Sequence, residues 1–250
     1  MTLPRTPPFR LDGRRALVTG AGRGIGLAAA AALAEAGAAV TLVARTGAEV
    51  EAAAREMAGA DWATLDVSDL DAVVGFFADR PAFDVLVNNA GTNRPKPLWD
   101  VTPDDYDAVL DLNLRAAFFV AQGAAKAMIR DEVRGSLIHM GSQMGHVGGP
   151  NRSLYCASKW GLEGMSKAFA LDLAPHGTRS NTIAPTFIET PMTRPFLEDE
   201  AFRDAVLAKI KLGRLGQVED LMGAVLFLAS DASAMVTGTS LVVDGGWTAD

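Results

Sequence analysis

A strand, a glycine-rich turn and a helix follow one another without interruption near the start of the chain. The β-branched run RALVT at residues 15–19 leads into the turn GAGRGIG at 20–26, and an Ala-rich helical pattern continues to Gly37. Glycines in such a turn let the backbone and the helix N-terminus approach a pyrophosphate, whose negative charge the helix dipole stabilises. In this context the turn predicts a dinucleotide-binding unit. The residues expected to contact the dinucleotide here are Gly20, Arg23, Gly24, Ile25 and Gly26.

Strand-like and helix-like segments alternate through the rest of the chain. The strand-like segments are RALVT, AVTLVA, WATLDV, DVLVNN, SLIHM, RSNTIA and TSLVVDGG, and one long helix is predicted from about Pro103 to Ile129. This alternation predicts an α/β fold, with a Rossmann-type, doubly wound parallel sheet and helices on both faces. No repeat or linker indicates a second domain, so residues 1–250 are expected to form a single domain with a loose N-terminal arm at 1–13.

Composition limits the partners that this chain is expected to have. The formal net charge is −7 and the basic residues are dispersed, which disfavours nucleic acid and anionic membranes. Cys156 is the only cysteine, so an internal disulfide is excluded and a reducing compartment is favoured. Because no segment resembles a secretory signal or a membrane span, a cytoplasmic location is expected. No metal site is predicted.

Tyr155 and Lys159 lie four residues apart in the helical pattern SLYCASKWGLEGMSKAFALDLA, so they share one helix face. A phenol has a pKa of ~10, too high for a base at neutral pH. A positive charge ~4 Å away, at an effective dielectric of ~20, favours the phenolate by about 4 kcal/mol, or roughly three pKa units before desolvation. The pair therefore predicts a general acid–base catalyst. On spacing alone an ordinary surface pair is the simpler interpretation, and the other motifs decide between the two.

Further motifs are distributed over nearly the whole chain. In chain order they are TGAGRGIG at 19–26, LDV at 65–67, NNAG at 88–91, Asn113, Ser142, YCASK at 155–159 and APTFIETPM at 184–192. Together they resemble the motifs of the short-chain dehydrogenase/reductase family. The resemblance implies an NAD(P)-dependent oxidoreductase that interconverts an alcohol and a ketone, built on a sheet of seven mainly parallel strands.

The resemblance also implies a catalytic role for each of four residues. Tyr155 is the general acid or base, and Lys159 lowers its pKa and contacts the nicotinamide ribose. Ser142 positions the substrate oxygen and stabilises charge on it, and Asn113 supports a water-mediated proton path to Lys159. This division is chemically reasonable, because the cofactor carries the hydride and the protein supplies proton transfer and orientation.

Further cofactor contacts are implied by the same resemblance. They comprise an adenine-contacting pair, a stretch along the adenosine half and a segment that holds the nicotinamide: Asp66, Val67, Asn89, Ala90, Gly91, Pro185, Ile188 and Thr190. The chain departs from the family pattern at Thr186, where a glycine is common, and at Gly141, where a serine often precedes the catalytic one. The second difference is expected to matter little.

The second predicted strand indicates which nicotinamide cofactor is used. NAD-selective sites place an acidic residue at the end of this strand, to bind the ribose 2′-OH. Here Ala44 holds that position, Arg45 follows, and Arg23 lies in the glycine turn. Two guanidinium groups without a carboxylate favour a 2′-phosphate through charge-assisted contacts. NADP(H) is therefore favoured, with NAD(H) as the alternative.

The substrate region is expected between Ser142 and Tyr155 and over residues 186–216, a Pro-punctuated segment that predicts a lid. The polar residues Gln143, His146, Asn151 and Arg152 could contact the substrate, together with Ser142 and Tyr155. This set favours a small hydroxylated compound such as a sugar, polyol or sugar acid.

Three other functions stay open at this point. A 3-oxoacyl-thioester reductase would belong to the same family, whereas a nucleotide-sugar epimerase would need a larger substrate domain. A non-catalytic nucleotide-sensing protein would tolerate loss of Tyr155 or Lys159, and both are present. The apolar helices near Phe118 and Leu162 resemble the family's assembly surfaces, so a homo-oligomer, either tetramer or dimer, is expected.

Overall fold

A computed structural model describes residues 2–249. These residues form one seven-stranded sheet with helices packed against it. The strands are β1 Arg15–Thr19, β2 Ala39–Ala44, β3 Asp61–Thr64, β4 Val85–Asn88, β5 Ser136–Met140, β6 Arg179–Pro185 and β7 Ser240–Val243. They lie in the order β3-β2-β1-β4-β5-β6-β7, and all neighbouring strands are parallel. The predicted fold class is confirmed. The strand order reverses between β1 and β4, which is where doubly wound sheets bind their ligands.

Helices cover both faces of the sheet. They are α1 Gly24–Glu35, α2 Gly47–Arg55, α3 Leu70–Ala78, α4 Pro103–Leu110, α5 Ala117–Arg130, α6 Ser153–Leu173, α7 Arg194–Leu197, α8 Glu200–Leu207 and α9 Glu219–Ala229. Within the described residues, no helix is both long enough and apolar enough to cross a membrane.

The side chains of each strand point alternately to the two faces of the sheet, so the core has two layers. In β1, Ala16 and Val18 pack in the layer that includes α1 and α9, whereas Leu17 packs in the layer that includes α3 and α5. Successive strand residues point to opposite faces, so a continuous apolar strand supplies both layers. This explains why β1, β2 and β4 are apolar along nearly their whole length.

Two predicted elements differ from the structure in their bounds. The third strand was expected over WATLDV but ends at Thr64, because its only neighbour, β2, ends at the paired residue Ala44. The helix expected from Pro103 to Ile129 is interrupted by a π-helical turn at Asp111–Ala116, which separates α4 from α5.

Residues 2–13, before β1, contain no helix or strand, and the first residue of the predicted arm lies outside the described part. The arm is nevertheless attached at its end. Leu11 is buried in the core, and its backbone N–H donates a hydrogen bond of 2.8 Å to the Ala36 carbonyl oxygen just after α1.

The segment after β6 carries α7 and α8 and packs around a small apolar cluster of its own. Val206, Ile210 and Leu215 form its buried centre, and Phe187 and Trp247 pack against them. A parallel bridge between Ile188 and Gly216 closes the base of the segment. Residues 186–216 therefore pack both against this cluster and, through Ile188, against the main core.

Candidate active site

A cleft with a volume of about 290 Å³ opens at the carboxyl ends of the strands, next to the switch point. Most of the predicted site residues line it. These are Gly20, Arg23, Gly24, Ile25, Arg45, Val67, Asn89, Ala90, Gly91, Ser142, Tyr155, Lys159, Pro185, Ile188 and Thr190. The structure thus brings the glycine turn and the Tyr155–Lys159 pair into one cavity, although residues 27–154 separate them in sequence.

The glycine turn has the conformation that close approach of a phosphate requires. Gly20 adopts a φ of 63°, which residues other than glycine rarely adopt. A Cβ on Gly26 would overlap the Gly20 carbonyl oxygen, so only glycine fits there. Helix α1 begins at Gly24 without a side-chain cap. Its first N–H groups are therefore free to bind an anion, and the donor set fits the pyrophosphate of a dinucleotide.

The ends of β1 and β4 are joined by side-chain hydrogen bonds. The Thr19 hydroxyl accepts hydrogen bonds from the backbone N–H groups of Asn89, at 3.0 Å, and Ala90, at 3.1 Å. The Asn89 amide donates to the Thr19 carbonyl oxygen at 3.0 Å. These contacts hold the NNAG segment against the glycine turn and fix the walls of the cleft at the switch point.

Tyr155 and Lys159 occupy one face of the first turns of α6, and Lys159 Nζ lies 5.5 Å from the centre of the Tyr155 ring. Nζ also donates a hydrogen bond of 2.7 Å to the carbonyl oxygen of Met140 at the end of β5. Burial lowers the pKa of Lys159 to about 8, and the charge of Glu163 acts in the opposite direction. The lysine is thus a buried cation beside the phenol.

The pKa of Tyr155 shifts in the direction opposite to the sequence expectation. Burial raises it above its usual value, whereas hydrogen bonding with Ser142 and the charge of Arg152 oppose that rise. The Lys159 ammonium lies beside the ring but donates its hydrogen bond to the Met140 carbonyl oxygen. The sequence showed that the two residues share a helix face but not how deeply the fold buries them.

Ser142 follows β5 and caps a short 3₁₀ turn at Gln143–Gly145. Its hydroxyl accepts a hydrogen bond of 3.1 Å from the Met144 N–H and donates a long one of 3.5 Å to Gln143 Oε1. The hydroxyl also interacts with the Tyr155 phenol, whose pKa it lowers, so the two groups face the same part of the cleft. Gln143 itself is buried and does not line the cleft.

Asn113 lies in the π-helical turn and uses its amide to join two elements. Its Oδ1 accepts from the Thr92 N–H at 2.7 Å, and its Nδ2 donates to the Thr92 carbonyl oxygen at 2.9 Å and to Ser158 Oγ at 3.1 Å. These bonds tie the loop after β4 to α6. They give Asn113 a positioning role, and the water-mediated proton path stays a prediction.

Charged groups gather at the glycine-turn end of the cleft. Arg23 and Arg45 line it as predicted, but Glu49 lines it too. A Cβ on Gly22 would lie 2.7 Å from Glu49 Oε2, which shows how closely this carboxylate approaches the turn. Glu49 comes from α2 rather than from the end of β2, where a carboxylate at the cofactor site is expected from sequence. The sequence signal that could have identified Glu49 is its position in the first turn of the helix that follows β2.

Several predicted contacts are not brought into the cleft. The Asp66 carboxylate accepts hydrogen bonds from the Ser68 N–H and hydroxyl, and Gly26, the last residue of the turn, packs against Gly20 and Asn89. The His146 ring contacts Ser240 Oγ at 2.9 Å, so it is directed to β7. Asn151 is exposed, and its carbonyl oxygen accepts from the Lys96 N–H.

Thr186 is a site residue whose role the sequence did not indicate beyond its departure from the family pattern. It lines the cleft, and its Oγ1 is the one buried side-chain oxygen or nitrogen of residues 2–249 that lacks a hydrogen-bond partner. A buried hydroxyl without a partner is costly. A polar group of a bound cofactor or substrate would satisfy it, so this atom also fits a ligand in the cleft.

Comparison with known proteins agrees with this geometry. A family model described as "Enoyl-(Acyl carrier protein) reductase" matches residues 20–248. The chain is 40% identical over 241 residues to D-erythrulose reductase of Gallus gallus, covering 96% of this chain and 98% of that protein.

Two solved structures share the fold and the length of this chain. A short-chain type dehydrogenase/reductase from Mycobacterium marinum superposes with a TM-score of 0.92 at 36% identity, covering 97% of this chain and 98% of that one. A gluconate 5-dehydrogenase from Burkholderia cenocepacia J2315, in complex with NADP and tartrate, has a TM-score of 0.91 at 41% identity, with coverage of 97% and 98%.

Fold and site together define a Rossmann-type oxidoreductase that uses a nicotinamide cofactor and acts on CH–OH groups. The chain belongs to the short-chain dehydrogenase/reductase family. It interconverts an alcohol and a ketone by hydride transfer, as the family resemblance of its motifs implied.

Proposed function

We propose that this chain is an NADP(H)-dependent oxidoreductase of small polyhydroxylated ketones and alcohols, such as ketoses, polyols and sugar acids. One observation carries the proposal: Ser142, Tyr155 and Lys159 line the same cleft as the glycine turn. The named activities of similar proteins support the substrate class, because they include D-erythrulose reductase, L-xylulose reductase and gluconate 5-dehydrogenase.

When bound, the cofactor supplies a hydride to the carbonyl carbon or accepts one from the alcohol carbon. In the reductive direction, Tyr155 gives its phenolic proton to the carbonyl oxygen, and the product is the neutral alcohol. In the oxidative direction, the phenolate takes the hydroxyl proton. Ser142 Oγ donates a hydrogen bond to the same oxygen and stabilises the charge that develops on it.

Lys159 stabilises the phenolate that forms when Tyr155 gives up its proton. The ammonium lies beside the ring at 5.5 Å from its centre, and Met140 fixes its position. Burial raises the Tyr155 pKa, so the phenol keeps its proton at neutral pH until the substrate carbonyl oxygen accepts it. The lysine charge then limits the cost of leaving a buried phenolate behind.

Arg23 and Arg45 support the choice of NADP(H), because two guanidinium groups line the glycine-turn end of the cleft and would hold a 2′-phosphate there. The NADP in the similar gluconate 5-dehydrogenase structure points in the same direction. Glu49 opposes it through charge repulsion, so the preference depends on the balance between these three side chains.

Substrate enclosure and assembly belong to the same proposal. Residues 186–216 act as a lid, because Thr190 and Thr193 line the cleft and the Ile188–Gly216 bridge closes the base of the segment. Phe118 and Trp160, which are 38% and 54% exposed, would be covered in a homo-oligomer.

A substrate panel tests the proposed function. Purified protein is assayed with NADPH and with NADH against D-erythrulose, L-xylulose, a keto sugar acid and a 3-oxoacyl thioester, following nicotinamide absorbance. We expect turnover of at least one sugar-like ketone with NADPH, at a kcat/KM at least ~10-fold above that of the thioester, which corresponds to ~1.4 kcal/mol. Turnover of the thioester alone would favour the acyl reductase. Nucleotide binding without any turnover would favour the sensing protein.

A further inference from the structure

Arg152 is a buried cation without an ionic partner. It immediately precedes α6 and is only 7% exposed, yet its guanidinium donates a single long hydrogen bond within residues 2–249, 3.4 Å from Nη1 to the Asn151 carbonyl oxygen. By comparison, the guanidinium of Arg179, which is less buried than Arg152, donates three hydrogen bonds to carbonyl oxygens. A guanidinium carries five N–H donors, and a buried charge normally pairs with an opposite one. Most of the binding capacity of Arg152 is therefore unused.

Arg152 lies between the catalytic tyrosine and the lid. It precedes Tyr155 by three residues, and its positive charge acts on that phenol, since it opposes the rise of the Tyr155 pKa. The guanidinium carbon lies 5.5 Å from the centre of the Phe196 ring. Phe196 belongs to α7, and its N–H donates to the carbonyl oxygen of Thr193, which lines the cleft. The guanidinium thus lies between Tyr155, which lines the cleft, and Phe196 of α7, although Arg152 itself is not among the residues that line the cleft.

The backbone around Arg152 also favours a negative charge. Helix α6 begins at Ser153 without a side-chain cap, so the first N–H groups of the helix lack a side-chain acceptor. Asn151 adopts a φ of 58°, and its carbonyl oxygen accepts a hydrogen bond of 3.1 Å from the Lys96 N–H. The loop is thereby fixed, with the cation and the free N–H groups at the same helix end.

Other cations near this end are already neutralised. Asp105 Oδ2 pairs with Lys96 Nζ at 2.5 Å, and Asp104 Oδ2 pairs with Arg94 Nη1 at 2.6 Å. Arg152 therefore offers one uncompensated positive charge, which matches the single charge of a carboxylate better than the near-double charge of a phosphate ester. The planar guanidinium also fits a carboxylate in a bidentate manner.

We propose that Arg152 binds the carboxylate of the substrate, and that the substrates are hydroxy acids and their keto acids rather than neutral sugars. This inference rests on the proposed function, because it concerns the substrate end of the same site. The carboxylate is unchanged in the reaction. The hydride is added to the carbonyl carbon and the Tyr155 proton to the carbonyl oxygen, while Arg152 orients the molecule.

A matched pair of substrates tests this inference. 5-Keto-D-gluconate and L-sorbose carry the same ketone, and they differ in having a carboxylate or a CH₂OH group at the far end. We expect wild-type protein to show the higher kcat/KM for the acid. Arg152→Gln should lower the ratio of the two kcat/KM values by about 10- to 100-fold, since hydrogen bonds to charged groups contribute about 1.5–3 kcal/mol. Arg152→Lys should give an intermediate ratio, and Arg55→Gln, at an exposed ion pair, should leave it unchanged.

A binding measurement separates this inference from the proposed function. D-Gluconate and D-glucitol are titrated by calorimetry into NADP⁺-saturated Tyr155→Phe protein, with and without Arg152→Gln. Tighter binding of gluconate that depends on Arg152 supports the carboxylate site even if the panel shows no turnover, in which case only the proposed function fails. The inference would be overturned if L-sorbose were turned over as well as 5-keto-D-gluconate and D-gluconate bound no more tightly than D-glucitol. The proposed function would then stay intact.

Two further outcomes would also overturn the inference. Parallel loss of both kcat/KM values in Arg152→Gln protein, with unchanged circular dichroism and melting temperature, would mean that Arg152 positions α7 rather than the substrate. Stronger competition by a sugar phosphate than by gluconate would assign the cation to a phosphate.

Discussion

The Lys159 ammonium donates a hydrogen bond of 2.7 Å to the carbonyl oxygen of Met140, which anchors this lysine to the end of β5. The next residue on the same helix face, Glu163, is 7% exposed and accepts a hydrogen bond of 2.7 Å from the Thr182 hydroxyl. Glu163 is thus a buried carboxylate one helical turn behind a buried cation. Its charge raises the pKa of Lys159, which burial lowers to about 8.

Replacing this carboxylate should change the pH dependence of the enzyme. In Glu163→Gln protein the opposing charge is lost, so Lys159 should release its proton at a lower pH. The alkaline limb of the kcat/KM profile for ketone reduction should therefore move to lower pH. Profiles between pH 6 and 10 would reveal this, with Glu56→Gln at an exposed helix end as the control. An unchanged alkaline limb would show that Lys159 does not control this ionisation.

The two tyrosines of the chain provide a matched test of the acid–base residue. Tyr155→Phe should lower kcat by about 10²- to 10⁴-fold, the range typical of general acid–base groups. The Kd for NADPH should change by less than ~3-fold, or ~0.7 kcal/mol, because the phenyl ring still fills its place. Tyr106 is 53% exposed, so Tyr106→Phe should behave as wild type. Steady-state kinetics and fluorescence titration would measure both, and near-normal turnover by Tyr155→Phe would contradict the assignment.

Arg23 and Arg45 should favour NADP(H), whereas Glu49, at the same end of the cleft, should disfavour it. Arg45→Asp should lower the NADPH-over-NADH ratio of kcat/KM by about 10- to 100-fold, from the loss of one charge-assisted contact of about 1.5–3 kcal/mol. Glu49→Gln should raise the same ratio, because it removes a carboxylate that repels the 2′-phosphate. Arg55→Asp, away from the cleft, is the control. If both cleft variants moved the ratio in the same direction, the proposed charge balance would be wrong.

The fold could be predicted from sequence because its signals are local. The β1–turn–α1 unit and the alternation of strands and helices determine the sheet and where its carboxyl ends meet. The π-helical turn at Asp111–Ala116 could not be predicted. No glycine or proline marks it, and the hydrogen bonds of Asn113 to Thr92 and Ser158 form only once the chain has folded.

The site was predictable where residues share an element and less so where separate elements meet. The Tyr155–Lys159 spacing indicated a shared helix face, but the burial that raises the Tyr155 pKa comes from the surrounding fold. Gly141 was expected to matter little. In the structure, a Cβ there would lie 2.8 Å from Glu163 Oε1, so this glycine makes room for the buried carboxylate. Sequence could not pair residues that are 22 positions apart and belong to different elements.

His139 should make the stability of the protein depend on acid pH. It lies fully buried in β5, within 3.5 Å of the Asn88 amide and 3.3 Å of the Ser180 hydroxyl, and burial lowers its pKa to about 4. In the unfolded chain its pKa is ~6.5. Between these two values the unfolded state binds more protons than the folded state, so the free energy of unfolding falls as pH decreases from about 6.5 to 4 and this contribution is constant below that.

A His139→Leu variant should lose this dependence. Both neighbouring groups keep a partner, because Asn88 also donates to the Ala117 carbonyl oxygen and Ser180 also bonds to Ser166. The wild-type protein should therefore lose about 3 kcal/mol more stability than the variant between pH 6.5 and 4, at ~1.4 kcal/mol per pKa unit. Urea unfolding at equal protein concentration across this range would measure the difference, with His176→Gln at an exposed helix end as the control. Equal pH slopes in wild-type and His139→Leu proteins would mean that His139 takes up its proton in the folded state as readily as in the unfolded one.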